Sequence, residues 1–513
     1  MDIVQKHAVI DIGSNSIRLV VIGIDQKFFS KELLNFKVVA RLSNYIDNEQ
    51  KLNEDGEAKL VQVLERFLAI IRRETHITAV DAVATAAMRK ARNREDVFER
   101  IFQRTGLRIR LLSGLKEAYY GYVAVINSMD VSDGISIDIG GGSTEVTQFR
   151  NRELVQCHSF PFGAVTLYQT YFASGDRQAV DRLETYLKQM FEPFEWLTKQ
   201  SLPVIGIGGA ARNLCKIDQA ERHYPMSGLH QYIMPGDRLN NLTVRLATMN
   251  ESEREVVQGL SKDRADIIVP AAVVINMLVK INRGKQFILS GEGLREGIFY
   301  EWMLHRRGEV RIPYVLRESI RYLRRNFNLD SAHAGYVKKL AFQLFEGLSP
   351  LIADPIPAAS TAWLLSHSAD LAYIGEYINN ESSSAHTFYL LTNIKINGIS
   401  HHQRLAVALI ASFKNREKLC DFAAPFAKFF GKDELRMYEL LGAILRLAHD
   451  FDQTRQQVVS EVNVRIVKKK NVHIHASYHD DAYFEEQAVL KHKKHLERCL
   501  QLPIDVMFRQ QKD

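Results

Sequence analysis

Cysteine is scarce in this chain, with four such residues among 513. Cys157, Cys215, Cys420 and Cys499 are widely scattered, and no pair shows the C-x-x-C spacing that many zinc sites use. Such a pattern also excludes the disulfide framework of a small secreted protein. We therefore expect four reduced cysteines that behave as small buried apolar residues.

Long apolar runs and a targeting segment are absent as well. No stretch approaches the roughly 20 apolar residues that a membrane-spanning helix needs. The N-terminus, M-D-I-V-Q-K-H-A-V-I, lacks the basic flank and apolar core of a signal peptide. With 46% hydrophobic residues and 12 prolines, extensive disorder is excluded too. We expect a cytoplasmic protein without a membrane span.

Length and charge set only broad limits. A chain of 513 residues exceeds what one hydrophobic core supports, so three or four domains are expected. The formal charge is +7, with an isoelectric point near 9.0. This balance suits a nucleic acid, an anionic membrane or a polyanionic substrate, and suits equally well a charge that only keeps the protein soluble.

A hairpin-like pattern occurs twice in the first third of the chain. Residues 8–12 and 17–24 are β-rich apolar runs that flank the loop G-S-N-S. Residues 135–139 and 145–149 repeat this layout around G-G-G-S-T. Both copies read apolar–Asp–Ile–Gly, small polar loop, apolar. We therefore predict two similarly folded α/β domains that face each other.

Strand and helix patterns alternate around these two copies. Helical periodicity covers residues 53–73, and strand candidates lie at 79–86 and 107–112. Two further glycine-rich breaks, at 204–213 and 289–297, each follow a short strand and open a helix.

The character of the sequence changes after residue 304. Long helical patterns are predicted at Arg317–Asn326, Ala334–Leu348, Ala358–Tyr377, His402–Phe413 and Glu434–Asp450. Beyond residue 455 a hairpin pattern surrounds K-K-K-N and precedes a helix rich in Lys and His. These shifts predict domains at 1–125, 126–303, 304–455 and 456–513.

The two repeated loops are candidate phosphate sites. A strand–Gly/Ser loop–strand turn points several backbone N–H groups into one concavity, and small hydroxyl or amide side chains add donors. Two such loops would clamp a phosphoryl group from opposite sides. The candidate phosphate-binding residues are Gly13, Ser14, Asn15, Ser16, Gly140, Gly141, Gly142, Ser143 and Thr144.

Carboxylates accompany both loops. Asp11 and Asp138 lead them, and Glu145 ends the second. Carboxylates placed this close together repel one another unless a cation lies among them, so we expect Mg²⁺, with these three residues as candidate ligands.

The loops resemble those of a known family. D-I-G-S-N-S-I-R-L and D-I-G-G-G-S-T-E are similar to the two phosphate loops of the exopolyphosphatase/guanosine pentaphosphatase family. Further family motifs follow in order: A-T-A-A-M-R-K-A-R-N, L-S-G-L-K-E-A, F-G-A-V-T-L, G-I-G-G-A, R-A-D-I-I-V-P and G-L-R-E-G. The resemblance implies an α/β fold with two actin-like domains, an all-α domain resembling HD-type phosphohydrolases, and a small α+β C-terminal segment. It also suggests a homodimer.

The resemblance implies roles for residues that local pattern leaves ambiguous. Glu117 falls on the family's catalytic carboxylate, although acids in first helical turns are otherwise commonplace. Arg89 falls on the phosphate-facing arginine, although alone it reads as a surface residue. Gly208 is a further candidate phosphate-binding residue, expected to support the floor of the cleft. Arg18 could point to either face of its strand, and Arg295 could equally form an interdomain salt bridge.

The implied activity is that of an exopolyphosphatase, a phosphoanhydride hydrolase that releases terminal phosphate from inorganic polyphosphate. The alternative within the family is removal of the 5′ phosphate of guanosine pentaphosphate, and no motif decides between them. A kinase of the same fold is disfavoured because Glu117 points to water as acceptor. Nucleic acid is not expected as a partner.

The helical region departs from the HD pattern. Ala372 and Tyr373 stand where the family's metal-binding His and Asp would be, so we expect no catalytic metal there. His333, His386 and the acidic Asp450 and Asp452 remain near the other ligand positions. Basic clusters that could line a polyanion channel, or simply be solvated, are Arg306–Arg307, Arg324–Arg325, Lys468–Lys470 and Lys491–Lys494.

Overall fold

A computed structural model of the chain describes residues 3–176, 178–352 and 358–511. They form two compact units. The first comprises Met1–Tyr224 and Leu229–Val315, and the second comprises Pro225–Gly228 and Leu316–Asp513.

The first sheet of unit one contains the first copy of the repeated pattern. Its strands are β1 (Gln5–Ile12), β2 (Ser16–Ile24), β3 (Ser30–Val39), β4 (Ile77–Ala84) and β5 (Ile109–Leu111), in the order β3-β2-β1-β4-β5. The first three strands form an antiparallel meander, and β4 and β5 add in parallel. The helices of this part are α1 (Glu54–Arg73), α2 (Ala86–Lys90), α3 (Arg94–Thr105) and α4 (Gly114–Ser128). The predicted hairpin and the predicted helix at 53–73 are confirmed.

The second sheet repeats this layout. Its strands are β6 (Gly134–Ile139), β7 (Thr144–Arg150), β8 (Glu153–Phe160), β9 (Val204–Ile207), β10 (Ile233–Pro235) and β11 (Gln286–Leu289), in the order β10-β11-β9-β6-β7-β8. Strands β6–β8 form the meander, β9 and β11 are parallel additions, and β10 is an extra antiparallel edge. The accompanying helices are α5 (Ala164–Leu167), α6 (Ala179–Phe191), α7 (Gly208–Glu221), α8 (Gly236–Thr248), α9 (Glu251–Glu255), α10 (Ile268–Asn282) and α11 (Leu294–Arg307).

Helices α4 and α11 share one hydrophobic core with residues from both sheets, including Val20 and Ile205. The two helices approach at Gly297, where a Cβ would lie only 2.0 Å from the Tyr120 carbonyl oxygen. The Tyr120 hydroxyl also donates to Glu301 at 2.7 Å. A side chain at position 297 would therefore force the helices apart.

Unit two is mainly helical and ends in a small sheet. Its helices are α12 (Val315–Asn326), α13 (Ser331–Leu348), α14 (Ala358–Leu371), α15 (Ser383–Asn393), α16 (His401–Ala411), α17 (Arg416–Ala423), α18 (Lys432–Asp450) and α19 (Tyr483–Leu500). The strands are β12 (Val459–Val467), β13 (Asn471–Tyr478) and β14 (Ile504–Gln510), in the order β12-β13-β14. The predicted hairpin around K-K-K-N is confirmed. The parallel strand β14 was not predicted.

One helix prediction was wrong. The pattern at 358–377 predicted a single helix, but α14 ends at Leu371, and a 3₁₀ turn follows at Ile374–Tyr377. Tyr373 has φ of 66°, and this left-handed conformation cannot continue a right-handed helix.

Tyr373 also fills the position expected of a metal ligand in an HD-type site. Its ring lies 4.1 Å from that of His449, and the His333 ring nitrogen Nδ1 is paired with Asp452 at 2.7 Å. Across the described ranges, no group of three His, Cys, Asp or Glu side chains could hold a metal ion. The histidines of this region therefore pack and pair with one another and with carboxylates.

All four cysteines are free, as expected, but their burial differs from the expectation. Cys215 is buried, whereas Cys420 is exposed and the other two are partly exposed. No helix in the described part of the chain is long and apolar enough to cross a membrane.

Candidate active site

A cavity of about 160 Å³ in unit one is lined by both repeated loops. The first loop contributes Gly13, Ser14, Asn15 and Ser16, and the second contributes Gly140, Gly141 and Ser143. Glu117, Gly208 and the three candidate metal carboxylates also line it. Most of the residues predicted from the sequence are thus brought together in one cleft.

The loops share one backbone geometry. The Gly13 amide donates to the Ser16 carbonyl at 3.1 Å, and the Gly140 amide donates to the Ser143 carbonyl at 3.0 Å. These equivalent turns follow β1 and β6, the first strands of the two meanders. The duplication seen in the sequence is therefore also a duplication of the site.

Two carbonyls of the second loop are occupied by backbone hydrogen bonds. The Gly140 and Gly141 carbonyls accept from the Ala164 and Val165 amides at 2.9 and 3.0 Å. In a trans peptide the N–H points opposite to the C=O, so the amides that follow these carbonyls point away from Ala164 and Val165. Such amides can receive phosphate oxygens.

Two predicted loop residues lie outside the cleft lining. The Thr144 side chain is fully buried in β7, and its hydroxyl donates to the Phe162 carbonyl at 2.7 Å. Its hydroxyl therefore cannot bind phosphate, which corrects the expectation for this residue. Gly142, in the middle of the second loop, lies beside Ala86 and Lys90 and is not among the lining residues.

Glu117 lines the cleft and forms an ion pair with Arg89, which lies outside the residues of the lining. Glu117 lies in the first turn of α4, where the Ser113 hydroxyl caps the helix by accepting from the Lys116 amide at 3.2 Å. Arg89, from α2, also donates to the Leu112 carbonyl at 2.8 Å and to the Ser143 hydroxyl at 3.2 Å. These contacts fix the guanidinium between the second loop and Glu117.

Strand register places different partners opposite the two aspartates. Asp11 pairs with Arg18 across β1 and β2, whereas Asp138 pairs with Glu145 across β6 and β7. Directly opposed residues point to the same face of a sheet. The register therefore directs Arg18 into the cleft, a choice that sequence alternation left open.

Burial destabilises the ionised forms of Asp11, Asp138 and Glu145. Burial raises the pKa of Asp11, and burial together with the nearby Asp11 raises the pKa of Asp138 to about 6. Burial raises the pKa of Glu145 to about 7, against the opposing effect of hydrogen bonds from Ser143 and Ser159. A divalent cation would relieve this cost.

Asp11 and Asp138 fit a Mg²⁺ site, since this ion is usually held by one or two carboxylates together with waters and substrate phosphates. Glu145 is engaged elsewhere: the Ser159 hydroxyl donates to it at 2.8 Å, and Arg89 lies 3.9 Å away. The three carboxylates form no closed three-residue metal cluster in the described ranges. Glu145 is thus placed toward Arg89, away from a shared three-carboxylate site.

Four arginines also line the cleft and are electrostatic neighbours of one another: Arg18, Arg212, Arg264 and Arg295. Local sequence pattern assigned no phosphate role to any of them, although Arg18, Arg264 and Arg295 lie within motifs that resemble those of the family. Burial and the neighbouring Arg295 and Arg212 lower the pKa of Arg18 to about 10. Guanidinium groups packed this closely repel one another, and an anion would stabilise them.

Two family models together match most of the chain. A model of the Ppx/GppA phosphatase family matches residues 20–306, and a model of Ppx/GppA phosphatase domain III matches residues 315–498. The guanosine-5′-triphosphate,3′-diphosphate pyrophosphatase of Vibrio vulnificus is 25% identical over 86% of this chain and 87% of its own length. The bifunctional 3-dehydroquinate synthase/phosphatase of Fusobacterium nucleatum is 25% identical over 300 residues, and the match spans only 45% of that protein.

Solved structures agree on the fold. The Aquifex aeolicus family member superposes with a TM-score of 0.53 at 26% identity, covering 59% of this chain and 98% of the other. An exopolyphosphatase from Cytophaga hutchinsonii gives 0.55 at 22% identity, covering 60% and 99%. The two predicted actin-like domains, followed by a helical region and a small sheet segment, are confirmed. The chain belongs to the Ppx/GppA phosphatase family.

Proposed function

We propose that this chain is an exopolyphosphatase, which hydrolyses the terminal phosphoanhydride bond of inorganic polyphosphate. The observation that carries the proposal is the order of charges along the cleft. Glu117 pairs with Arg89, which lies 3.9 Å from Glu145, and Glu145 neighbours Asp138. Asp138 neighbours Asp11 and three arginines, and Asp11 neighbours Arg18 and Arg295. This succession of neighbours supports the assignment of a base, a metal site and a cationic group to one cleft.

This order matches in-line displacement on a phosphate chain. Glu117 orients water and takes its proton, while Arg89 and the loop amides hold the terminal phosphoryl oxygens. Bound Mg²⁺ on Asp11 and Asp138 would neutralise charge on the bridged phosphates. The four arginines of the cleft hold the phosphates of the leaving chain.

The cleft lining favours a bare chain over a nucleotide. Among the described residues that line it, the apolar side chains are aliphatic, such as Ile139, Ile207, Ile267 and Leu294, and none is aromatic. Nucleobases are commonly bound by stacking on aromatic faces, a contact this lining does not offer. Four arginines instead offer repeated contacts to phosphate.

Guanosine pentaphosphate remains the second candidate, because the Vibrio vulnificus relative, named for a guanosine phosphate, matches 86% of this chain. Both substrates would use the same clamp and differ on the leaving-group side.

Parallel assays would separate these functions. Purified protein with Mg²⁺ receives long-chain polyphosphate, guanosine pentaphosphate or ATP at equal terminal-phosphate concentration, and phosphate release is followed. We expect the highest kcat/KM on polyphosphate. A higher value on guanosine pentaphosphate would replace the proposal with the second candidate. Release from none of the three would reject both.

A further inference from the structure

Arg295 occupies an unusual position at the start of α11. Its side chain is only 12% exposed, and its Nη1 atom is buried without a hydrogen-bond partner among the described residues. The nearest carboxylate that pairs with it is Glu296, at 3.8 Å from Nη2. Burying a guanidinium with an unused donor costs free energy unless a ligand completes it.

The neighbouring carboxylate has another partner. A Glu296 carboxylate oxygen accepts from the Gly293 amide at 2.8 Å and so caps α11. Arg295 instead faces the cleft, where Asp11 is its other main electrostatic neighbour. The contact with Glu296 therefore leaves the cleft-facing donor unsatisfied.

The electrostatic neighbours of Arg295 indicate which part of a bound substrate its unpaired donor would contact. Arg295 stabilises the ionised form of both Asp11 and Asp138, the expected metal ligands, whereas Arg89 contacts Glu117 and Glu145. A phosphoryl group attacked from the Glu117 side expels its leaving oxygen toward the opposite side. Because Arg295 has Asp11 and Asp138 as cleft neighbours, and not the Glu117–Arg89 pair, we assign it to that opposite side.

Resting on the proposed function, we infer that Arg295 is a catalytic residue that stabilises the leaving phosphate. Water oxygen forms a bond to the terminal phosphorus, and Glu117 accepts the water proton. The bond from phosphorus to the bridging oxygen breaks, and its electron pair remains on that oxygen as the terminus of the shortened chain. Arg295 donates a hydrogen bond to this developing charge and transfers no proton.

A purely structural role makes a different prediction. If Arg295 only balanced the charge of Asp11 and Asp138, its removal would leave those carboxylates more available to a cation. Mg²⁺ would then bind more tightly, and the half-saturating Mg²⁺ concentration would fall. Stabilisation of the leaving group predicts a lower kcat with an unchanged half-saturating Mg²⁺ concentration.

The test uses the full chain with Arg295→Gln and Arg295→Lys, and Arg66→Gln as the matched control. Arg66 lies on α1 in the same unit, is exposed, and is not among the residues that line the cleft. On tripolyphosphate at saturating Mg²⁺ we expect Arg295→Gln to lower kcat about 10²- to 10³-fold with a much smaller change in KM. Arg295→Lys should lose less, and Arg66→Gln should match the wild type.

Chemical rescue keeps the inference testable if Gln disturbs folding. Arg295→Ala, checked for a wild-type thermal unfolding midpoint, is assayed with added guanidinium chloride, and added sodium chloride serves as the ionic-strength control. Restored turnover with guanidinium alone supports the inference. Unchanged kcat in Arg295→Gln, or a reduced half-saturating Mg²⁺ concentration without loss of kcat, overturns it. If the wild type itself releases no phosphate, the proposed function fails.

Discussion

Gly208 lies directly against Asp138: a Cβ added at Gly208 would be 2.3 Å from the Oδ1 atom of Asp138. Gly208 also has φ of 82°, a conformation that L side chains rarely adopt. The first residue of α7 therefore helps set where the Asp138 carboxylate can lie. A residue that makes no side-chain contact of its own thus shapes the expected metal site.

Gly208→Ala should displace the Asp138 carboxylate and weaken Mg²⁺ binding. We expect a higher half-saturating Mg²⁺ concentration and a lower kcat, measured by phosphate release across a Mg²⁺ titration. Gly106→Ala is the matched control, since Gly106 has a similar φ of 74° but nothing within 4 Å of its Cβ position. Both variants carry about 1 kcal/mol of backbone strain. Equal losses in the two would mean that strain alone is responsible.

Glu117→Gln should lower kcat by about 10²- to 10⁴-fold while leaving substrate affinity largely intact, because the amide cannot accept the water proton. Single-turnover phosphate release and calorimetric binding of tripolyphosphate separate the two effects. The general-base assignment would be untenable if Glu117→Gln kept wild-type turnover.

Mg²⁺ dependence should change with pH. The metal requires ionised carboxylates, and burial raises the pKa of Asp11 and raises that of Asp138 to about 6. Below these values protons compete with the metal, so the half-saturating Mg²⁺ concentration should rise as pH falls from 8 to 5.5. The rise should approach about tenfold per pH unit for each proton displaced. A flat profile would contradict these carboxylates as the metal site.

The stability of the metal-free protein should fall as pH rises. A carboxyl whose pKa is raised on folding binds its proton more tightly in the native state, so the free energy of unfolding falls as pH rises from about 4 toward 7. Asp138→Asn removes one such group. The thermal unfolding midpoint of this variant in EDTA, relative to that of the wild type, should therefore increase as pH rises from about 4 through about 6. A constant difference between the two would argue against the raised pKa.

The basic turn Lys468–Lys470 tests the channel hypothesis, which remains a prediction. All three lysines are exposed. If they contact a long polyanion, changing all three to Gln should raise KM for long polyphosphate, with a weaker salt dependence, and leave tripolyphosphate unchanged. Changing Lys414, Lys428 and Lys432, also exposed, to Gln alters net charge equally and serves as the control. Identical behaviour of the two triple variants would reject the channel.

Local sequence patterns were sufficient for the duplicated hairpins. Apolar alternation and the Gly/Ser turns specify β1–β2 and β6–β7, and the loop residues follow from them. Glu117 and Arg89 required the family resemblance, because an acid in a first helical turn and an arginine in a basic cluster have no distinctive local signal. The structure then paired these two residues across 28 positions of the chain.

The remaining features depend on tertiary contacts. The inward direction of Arg18 follows from its register opposite Asp11, and the loss of Thr144 from the site follows from a hydrogen bond to Phe162. The break after α14 depends on the left-handed backbone of Tyr373, a conformation that helical periodicity cannot reveal. The cleft also brings together four arginines that are widely separated in the sequence: Arg18, Arg212, Arg264 and Arg295.

The contact between Gly297 and the Tyr120 carbonyl affects the distance between two residues of the cleft. Helix α4 carries Glu117 and helix α11 carries Arg295. The backbones of the two helices are in direct contact at Gly297, because glycine has no side chain to separate them. Under the proposed function, the separation of the general base from the leaving-group arginine is therefore set by main-chain atoms that do not line the cleft. A larger residue at position 297 would increase this separation without changing any residue of the cleft itself.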